Sequence, residues 1–501
     1  MLNPRSPKRN PFSLPSTTSA VLSAVLLFVT VAASVSLLAC QEPDSRIARV
    51  ESGLAGSIQV QGREMELFSL EERMAHYNVP GVSIAVLDGG EVVWAGGYGV
   101  TDTETGESVT VATLFQAASI SKPVAAIAAL RLVEDGRLDL DAPVNDYLTD
   151  WKIPENQFTE DSPVTLRHLL THTGGLTVHG FPGYESGGPV ATTVQVLDGS
   201  GPANTDPIRV DTMPGSIWRY SGGGYTIMQK LLEDVTGMPF AEVLEELVLD
   251  PADMPLSSYS QPMPPDRQDE LASGHFSDGT RVEGEWHIYP EQAAAGLWTN
   301  PTELAHLAMA VQASLHGEPG GVLSREMTLA QLTPGMGSYG LGFSVQGEGD
   351  QARFSHGGSN HGFKALFTAF KDGGRGIFVM TNGDRGSALA QEIVLAVARE
   401  YGWPVPGYEE VILADLPVEA LEAIAGNYRI EAQGLDIEVS VEGDHLRLDV
   451  GGDEPLHLHP TAADFFIDLS DGRRFRIHRD EEGAPTALEV LGLGLRADRV
   501  G

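Results

Sequence analysis

The sequence predicts a mixed α/β domain followed by a small all-β domain, on three observations. Apolar runs bounded by turn residues, at 82–87 with 91–94 and at 367–370 with 376–380, read as antiparallel strand pairs. Segments of helical character lie between them, at 121–133, 225–235 and 302–315. Beyond a boundary at 403–417, marked by three prolines, the apolar period becomes two at 437–441, 446–450 and 474–477, as in a small antiparallel barrel or sandwich.

Other elements follow in chain order. Residues 41–57 are polar and small and read as a tether. Met65, Leu67, Phe68, Leu70 and Met74 predict an amphipathic helix over 63–78. Residues 165–171 predict a short helix ended near Gly174-Gly175, and 392–401 another. The stretches 177–205 and 257–292 are rich in Gly, Pro and polar residues. They predict long loops, either functional or disordered.

Composition narrows the function. The 501 residues carry 32 Lys+Arg against 69 Asp+Glu, a net charge of −37. Such a surface repels phosphate, so nucleic acid is not expected as a partner. One cysteine excludes an intrachain disulfide framework and a multi-cysteine zinc site. No metal or organic cofactor is implied.

The N-terminus reads as an export signal. Arg5, Lys8 and Arg9 precede an apolar stretch at 20–39, which is also about long enough to span a bilayer uncleaved. Leu37-Leu38-Ala39-Cys40 resembles a bacterial lipobox, which implies cleavage before Cys40 and lipid on its thiol. The expected location is the bacterial cell envelope, lipid-anchored to a membrane. Removing 1–39 leaves 29 basic against 69 acidic residues, a charge near −40.

Three clusters carry chemistry. In Ser119-Ile120-Ser121-Lys122-Pro123, serine and lysine three apart share one face at a helix start, where the macrodipole favours developing negative charge. Tyr220 stands beside Gly222-Gly223-Gly224 as a phenol where backbone can approach closely. In Phe354-Ser355-His356-Gly357-Gly358-Ser359, the glycines let a strand edge approach a substrate, and His356 is a residue whose charge can change near neutral pH.

In this order the clusters resemble the serine β-lactamase and penicillin-binding-protein superfamily, in its class C-like branch of esterases, D-Ala-D-Ala carboxypeptidases and D-aminopeptidases. The resemblance covers about 59–401 and includes Leu169-Leu170-Thr171-His172-Thr173-Gly174-Gly175-Leu176 and Ala293-Ala294-Ala295-Gly296-Leu297-Trp298-Thr299, the latter as a strand-like run before a helix. It implies an antiparallel sheet flanked by helices, with a helical subdomain holding Tyr220. It makes Ser119 the acylated nucleophile, with Lys122 deprotonating it and Tyr220 passing the proton to the leaving group. His356 takes the place of a lysine facing a substrate carboxylate, Gly357 and Gly358 lie along the substrate, and the N–H groups of Ser119 and Ser359 form the oxyanion hole. The chain then divides into a signal (1–39), a lipidated cysteine and tether (40–57), a hydrolase domain (58–405), a linker (406–420) and a small β domain (421–501).

Two departures stand out. The family's Tyr-x-Asn ends here in Gly222, and His356 replaces lysine. Both point to esters or small amides and peptides rather than β-lactams. A β-lactamase or D-Ala-D-Ala carboxypeptidase, and a non-catalytic binding lipoprotein, are the alternatives. His168 and His172 have metal spacing on a helix but no following Glu, and read as structural. His457 and His459, two apart on a predicted strand, read as an exposed pair. Gly-x-Ser-x-Gly is absent, so an α/β-hydrolase nucleophile elbow is unsupported.

Overall fold

The computed structural model describes residues 42–404, 408–431, 434–451, 455–470, 472–492 and 495–500. The expected signal segment and Cys40 lie outside them. Among the described residues no helix is long and apolar enough to cross a membrane.

One sheet organises the larger domain. Its strands are β1 (Gly81–Asp88), β2 (Glu91–Gly99), β3 (Ser344–Gln346), β4 (Arg353–Asn360), β5 (Phe363–Phe370) and β6 (Gly376–Thr381). The order is β2-β1-β6-β5-β4-β3, with every neighbour antiparallel. Successive residues of a strand point to opposite faces. All six residues of β6 and seven of eight in β1 are buried, so both faces of the sheet centre are covered.

Four helices matter for the site. They are α1 (Ser121–Glu134), α2 (Gly222–Thr236), α3 (Pro301–His316) and α4 (Gly386–Tyr401). Eleven of the 14 residues of α1 are buried, so it runs through the core rather than along its surface. Helix α3 starts where Asn300 Oδ1 accepts the Glu303 N–H, with Pro301 in the first turn, and α3 and α4 pack on the sheet.

The structure moves several predicted boundaries for identifiable reasons. The helix expected over 63–78 is confined to Leu70–His76. Ser69 and Glu72 form a reciprocal capping box that starts it there. Helix α2 begins three residues earlier than expected because Ser221 Oγ caps the Gly224 N–H. The loops hold short elements, including Thr193–Asp198 and Pro265–Glu270. The run expected as a strand before α3 is a helical turn over Gln292–Ala295, then the two-residue strand Trp298–Thr299. Within the span read as a tether, Glu42–Glu51 is helical, and Leu54 and Ala55 are buried.

The C-terminal domain is a closed barrel rather than a sandwich. Its strands are β7 (Gly426–Ile430), β8 (Leu435–Glu442), β9 (His445–Asp449), β10 (Leu456–Ala462), β11 (Phe465–Asp468), β12 (Arg474–Arg479), β13 (Pro485–Val490) and β14 (Leu495–Val500). Alternate residues such as Ile437, Val439, Leu446, Leu448, Phe475 and Ile477 fill it, together with Leu421 and Ile424 from the helix Val418–Ile424. In the predicted linker, Glu409–Val411 pairs in parallel with Ile58–Val60.

Candidate active site

Ser119 lies in a single 3₁₀ turn, Ala118–Ile120, that feeds directly into α1. The turn is held from several sides. Ser121 Oγ donates to the Ala118 carbonyl (2.5 Å) and accepts from Leu297 N–H (2.9 Å). Ala117 N–H donates to the Leu297 carbonyl (2.8 Å), and Tyr259 O–H to the Ser121 carbonyl (2.7 Å). Ala118 itself has φ of 49°, a left-handed conformation unfavourable for alanine that persists because these neighbours over-determine it. The half-buried Ser119 hydroxyl is thereby presented at the N-terminal end of α1.

Lys122 is 2% exposed, one turn on. Its Nζ donates to Ser119 Oγ (3.0 Å) and to the Ala294 carbonyl (2.8 Å). It also lies 4.9 Å from the centroid of the Tyr220 ring and 5.8 Å from that of Tyr225. No carboxylate pairs with Lys122 among the described residues. Carbonyl, hydroxyl and ring faces surround its Nζ instead. The Gln292–Ala295 turn is thus a platform for the nucleophile: Ala295 takes a hydrogen bond from Asn360 Nδ2 (3.2 Å), one residue past Ser359.

Tyr220 is clamped by His172. The His172 carbonyl accepts Arg219 N–H (2.9 Å), and its Nδ1 accepts Ser221 N–H (3.1 Å), on either side of the tyrosine. The two rings lie 4.2 Å apart. Burial, then the nearby Lys122, push the imidazole pKa well below its ordinary value, so His172 is neutral. Its Nε2 is buried without a partner. Tyr339 packs against the same ring at 4.7 Å, and Trp218 meets it edge-on at 6.3 Å. The sequence signal for His172 was the Leu-Leu-Thr-His-Thr stretch. Tyr339 and Trp218 carried none, because only the fold brings them here.

His356 is buried at the edge of the site. It is 7% exposed, and burial first, then Lys122, push its pKa down to about 3. In the neutral ring Nδ1–H donates to the Gly357 carbonyl (2.7 Å), and Nε2 faces the Tyr339 hydroxyl (2.9 Å). The ring therefore offers no cationic partner for a carboxylate near neutral pH.

The two glycines after His356 are not equivalent. A β-carbon on Gly358 would stand 2.2 Å from the Ala117 carbonyl oxygen, whereas one on Gly357 would meet nothing nearer than 3.9 Å. Strand β4 therefore crosses tightly behind the nucleophile turn at Gly358. Strand β3 pairs with Arg353–Ser355 of β4, as Gln346–Ser344, so from His356 onward β5 is the only strand neighbour among the described residues. Ser359 follows on this open edge.

Gly222, the residue that departs from the resembled Tyr-x-Asn motif, stands in a crowded space. A β-carbon there would meet Phe181 Cε2 at 3.0 Å and the His179 carbonyl at 3.1 Å. The same segment caps α2, since the His179 and Val178 carbonyls accept Gly222 and Gly223 N–H at 2.9 and 3.1 Å. His179, Trp218, Arg219 and Tyr220 line an open pocket of about 450 Å³ beside the site. A larger groove of about 1040 Å³, lined by Met74, Val79 and Tyr98 among others, contains none of these residues.

Comparison with known proteins gives the family. The model of the beta-lactamase family matches residues 69–399. The chain is 23% identical over 432 residues to penicillin-binding protein 4* of Bacillus subtilis, covering 81% of this chain and 92% of that protein. It is 34% identical over 174 residues to esterase EstB of Burkholderia gladioli, covering 33% and 43%. Its fold is similar to that of the octameric penicillin-binding protein homologue from Pyrococcus abyssi, with a TM-score of 0.61 at 23% identity over 85% of this chain and 98% of that one. It is also similar to SurE bound to D-Leu, with a TM-score of 0.54 at 22% identity over 86% and 97%. With its serine, lysine and tyrosine brought together on this fold, the chain belongs to the beta-lactamase family of serine hydrolases.

Proposed function

We propose that the protein hydrolyses esters or small amides and peptides through an acyl-enzyme on Ser119. The carrying observation is the 3.0 Å contact from Lys122 Nζ to Ser119 Oγ, under the face of Tyr220. Ser119 Oγ attacks the acyl carbon while its proton passes to the Lys122–Tyr220 pair. The N–H groups of Ser119 and Ser359 receive the oxyanion, assisted by the N-terminal end of α1. Tyr220 returns the proton to the leaving alcohol or amine. Water then attacks the acyl-serine, and the proton runs the same path back to Oγ.

Two features support small acyl donors over β-lactams. Phe181 and His179 crowd the space of the missing asparagine side chain, and His356 is neutral. The similarity to penicillin-binding protein 4* favours a second reading, a β-lactam- or D-Ala-D-Ala-directed enzyme. We also infer export and lipid anchoring at Cys40, supported by the Leu37-Leu38-Ala39-Cys40 sequence. An intact mass that retains 20–39 would exclude that processing.

The test is to incubate the protein with a serine-directed phosphonate, a penicillin and short acyl esters, and to locate each adduct by mass. Labelling at Ser119 with rapid ester turnover is expected. A phosphonate adduct that bypasses Ser119 overturns the mechanism, and rapid penicillin turnover overturns the substrate preference.

A further inference from the structure

The histidine pair singled out on the C-terminal strands is not a pair in the folded barrel. It becomes a cluster of five titratable side chains. Glu442 ends β8, His445 begins β9 across the tight turn, and His457 and His459 share one face of β10. His445 Nε2 lies 2.9 Å from His457 Nδ1, and His457 Nδ1 lies 3.9 Å from Glu442 Oε2. One ligand atom each from Glu442, His445 and His457 falls within 4.8 Å of the other two. On the far side of the His445 ring, Nδ1 lies 3.2 Å from Asp444 Oδ1. The His459 ring stacks on that of His445 at 4.6 Å, and its buried Nδ1 has no partner.

We propose that this three-strand face of the barrel is a binding site for a divalent transition-metal ion of the zinc type, held by His445 Nε2, His457 Nδ1 and the Glu442 carboxylate. Two imidazoles and a carboxylate are the donor set such ions take, with a further position left for water. Tetrahedral ligation at Zn–N distances near 2.0–2.1 Å needs nitrogens about 3.3 Å apart. The observed 2.9 Å between two rings on adjacent strands is within a few tenths of an ångström of that.

The surroundings fit a ligand more closely than a bare histidine pair. A metal-bound imidazole usually donates its other N–H to a carboxylate, which fixes the tautomer and the ring orientation. Asp444 stands at that position on His445. Its second oxygen is 4.0 Å from Arg63, so its charge is partly met from outside. The ligands come from three consecutive strands, so a bound ion would tie the β8–β9 hairpin to β10. The strong negative charge of the chain raises the local concentration of any cation. The sequence reading expected no metal, because the three strands that assemble the donors meet only in the closed barrel.

The test uses the full chain free of any polyhistidine tag, stripped with a chelator and titrated calorimetrically with ZnCl₂ alone. Saturable binding of about one ion per chain in the micromolar range or tighter is expected. His445→Gln and His457→Gln should each weaken it by tenfold or more, and Asp444→Asn by roughly 10–100-fold. His478→Gln, elsewhere on the barrel, should leave it unchanged. A second measurement needs no variant: the electron paramagnetic resonance spectrum of the Cu²⁺-loaded chain should show coupling to two imidazole nitrogens. Absence of saturable binding below about 1 mM, affinity unchanged by His445→Gln or His457→Gln, or a Cu²⁺ spectrum without nitrogen coupling each overturns the proposal.

Discussion

Gly358 passes the carbonyl of Ala117 so closely that its missing β-carbon would lie 2.2 Å from that oxygen. The contact fixes the separation between strand β4 and the nucleophile turn. Gly358→Ala must push the two apart. A misplacement of about 1 Å at a reacting centre can cost about 100-fold, so a loss of that order in kcat/KM is expected. Gly357→Ala, one residue away in open space, should stay within a few-fold. Equal losses for the two variants would show that the close approach does not set the site's geometry.

Lys122 touches both the Ser119 hydroxyl and the Ala294 carbonyl. Lys122→Ala should slow acylation on the order of 10³-fold or more, since proton transfer and orientation are lost together. Lys122→Arg should not restore the rate, because a planar guanidinium cannot replace a compact ammonium beneath the Tyr220 ring. Single-turnover labelling by a phosphonate measures both.

The proton balance of His356 works against acid stability. Its folded pKa, about 3, lies below the ordinary value of 6.5. The unfolded chain therefore binds the proton more readily between these limits, and the fold loses stability as pH falls from about 6.5 toward 3. The His356 ring signals should not titrate between pH 5 and 8 by NMR. An inflection near pH 6.5 would restore the cationic role read from sequence.

Glu291 shows the opposite sign. It is fully buried, neither oxygen has a partner, and burial raises its pKa to about 8. The folded state holds this proton where the unfolded state has released it, so stability falls as pH rises from about 4.5 to about 8. Glu291→Gln should be close to wild type in unfolding midpoint at pH 4.5. At pH 8 it should be more stable, by an amount on the order of several kcal/mol. Parallel pH profiles for the two proteins would refute this account.

Restoring the family's asparagine should not restore its chemistry. Gly222→Asn places a side chain against Phe181 Cε2 and the His179 carbonyl. Overpacking of this kind typically costs about 1–3 kcal/mol, so a lower unfolding temperature is expected without gain in penicillin hydrolysis. A rise in penicillin turnover would mean that the 177–181 segment yields to substrate.

Local rules made much of the architecture legible. Ser119 and Lys122 face each other because a helix start puts i and i+3 together, whereas the apolar pattern misses the Ser69–Glu72 capping box, also local, and sets that helix start too early. The hairpin β1–β2 and the alternation of β8 and β9 followed from apolar period and turn residues. The class of the barrel did not, since a barrel and a sandwich share the same alternation and only the β7–β14 pairing closes the sheet.

The sequence by itself determined which residues could do chemistry here: a serine and lysine one turn apart, a tyrosine before a glycine run, and a histidine on a strand edge. Tertiary structure alone decided their states and company. It put His172 around Tyr220, buried His356 beside Lys122 and so lowered its pKa, filled the space beyond Gly222 with Phe181, and gathered Glu442, His445 and His457 from three consecutive strands. The physical reason is range. Hydrogen-bond periodicity acts over three or four residues and is written in the chain, whereas desolvation and steric contact depend on segments tens to hundreds of residues apart that meet only after folding.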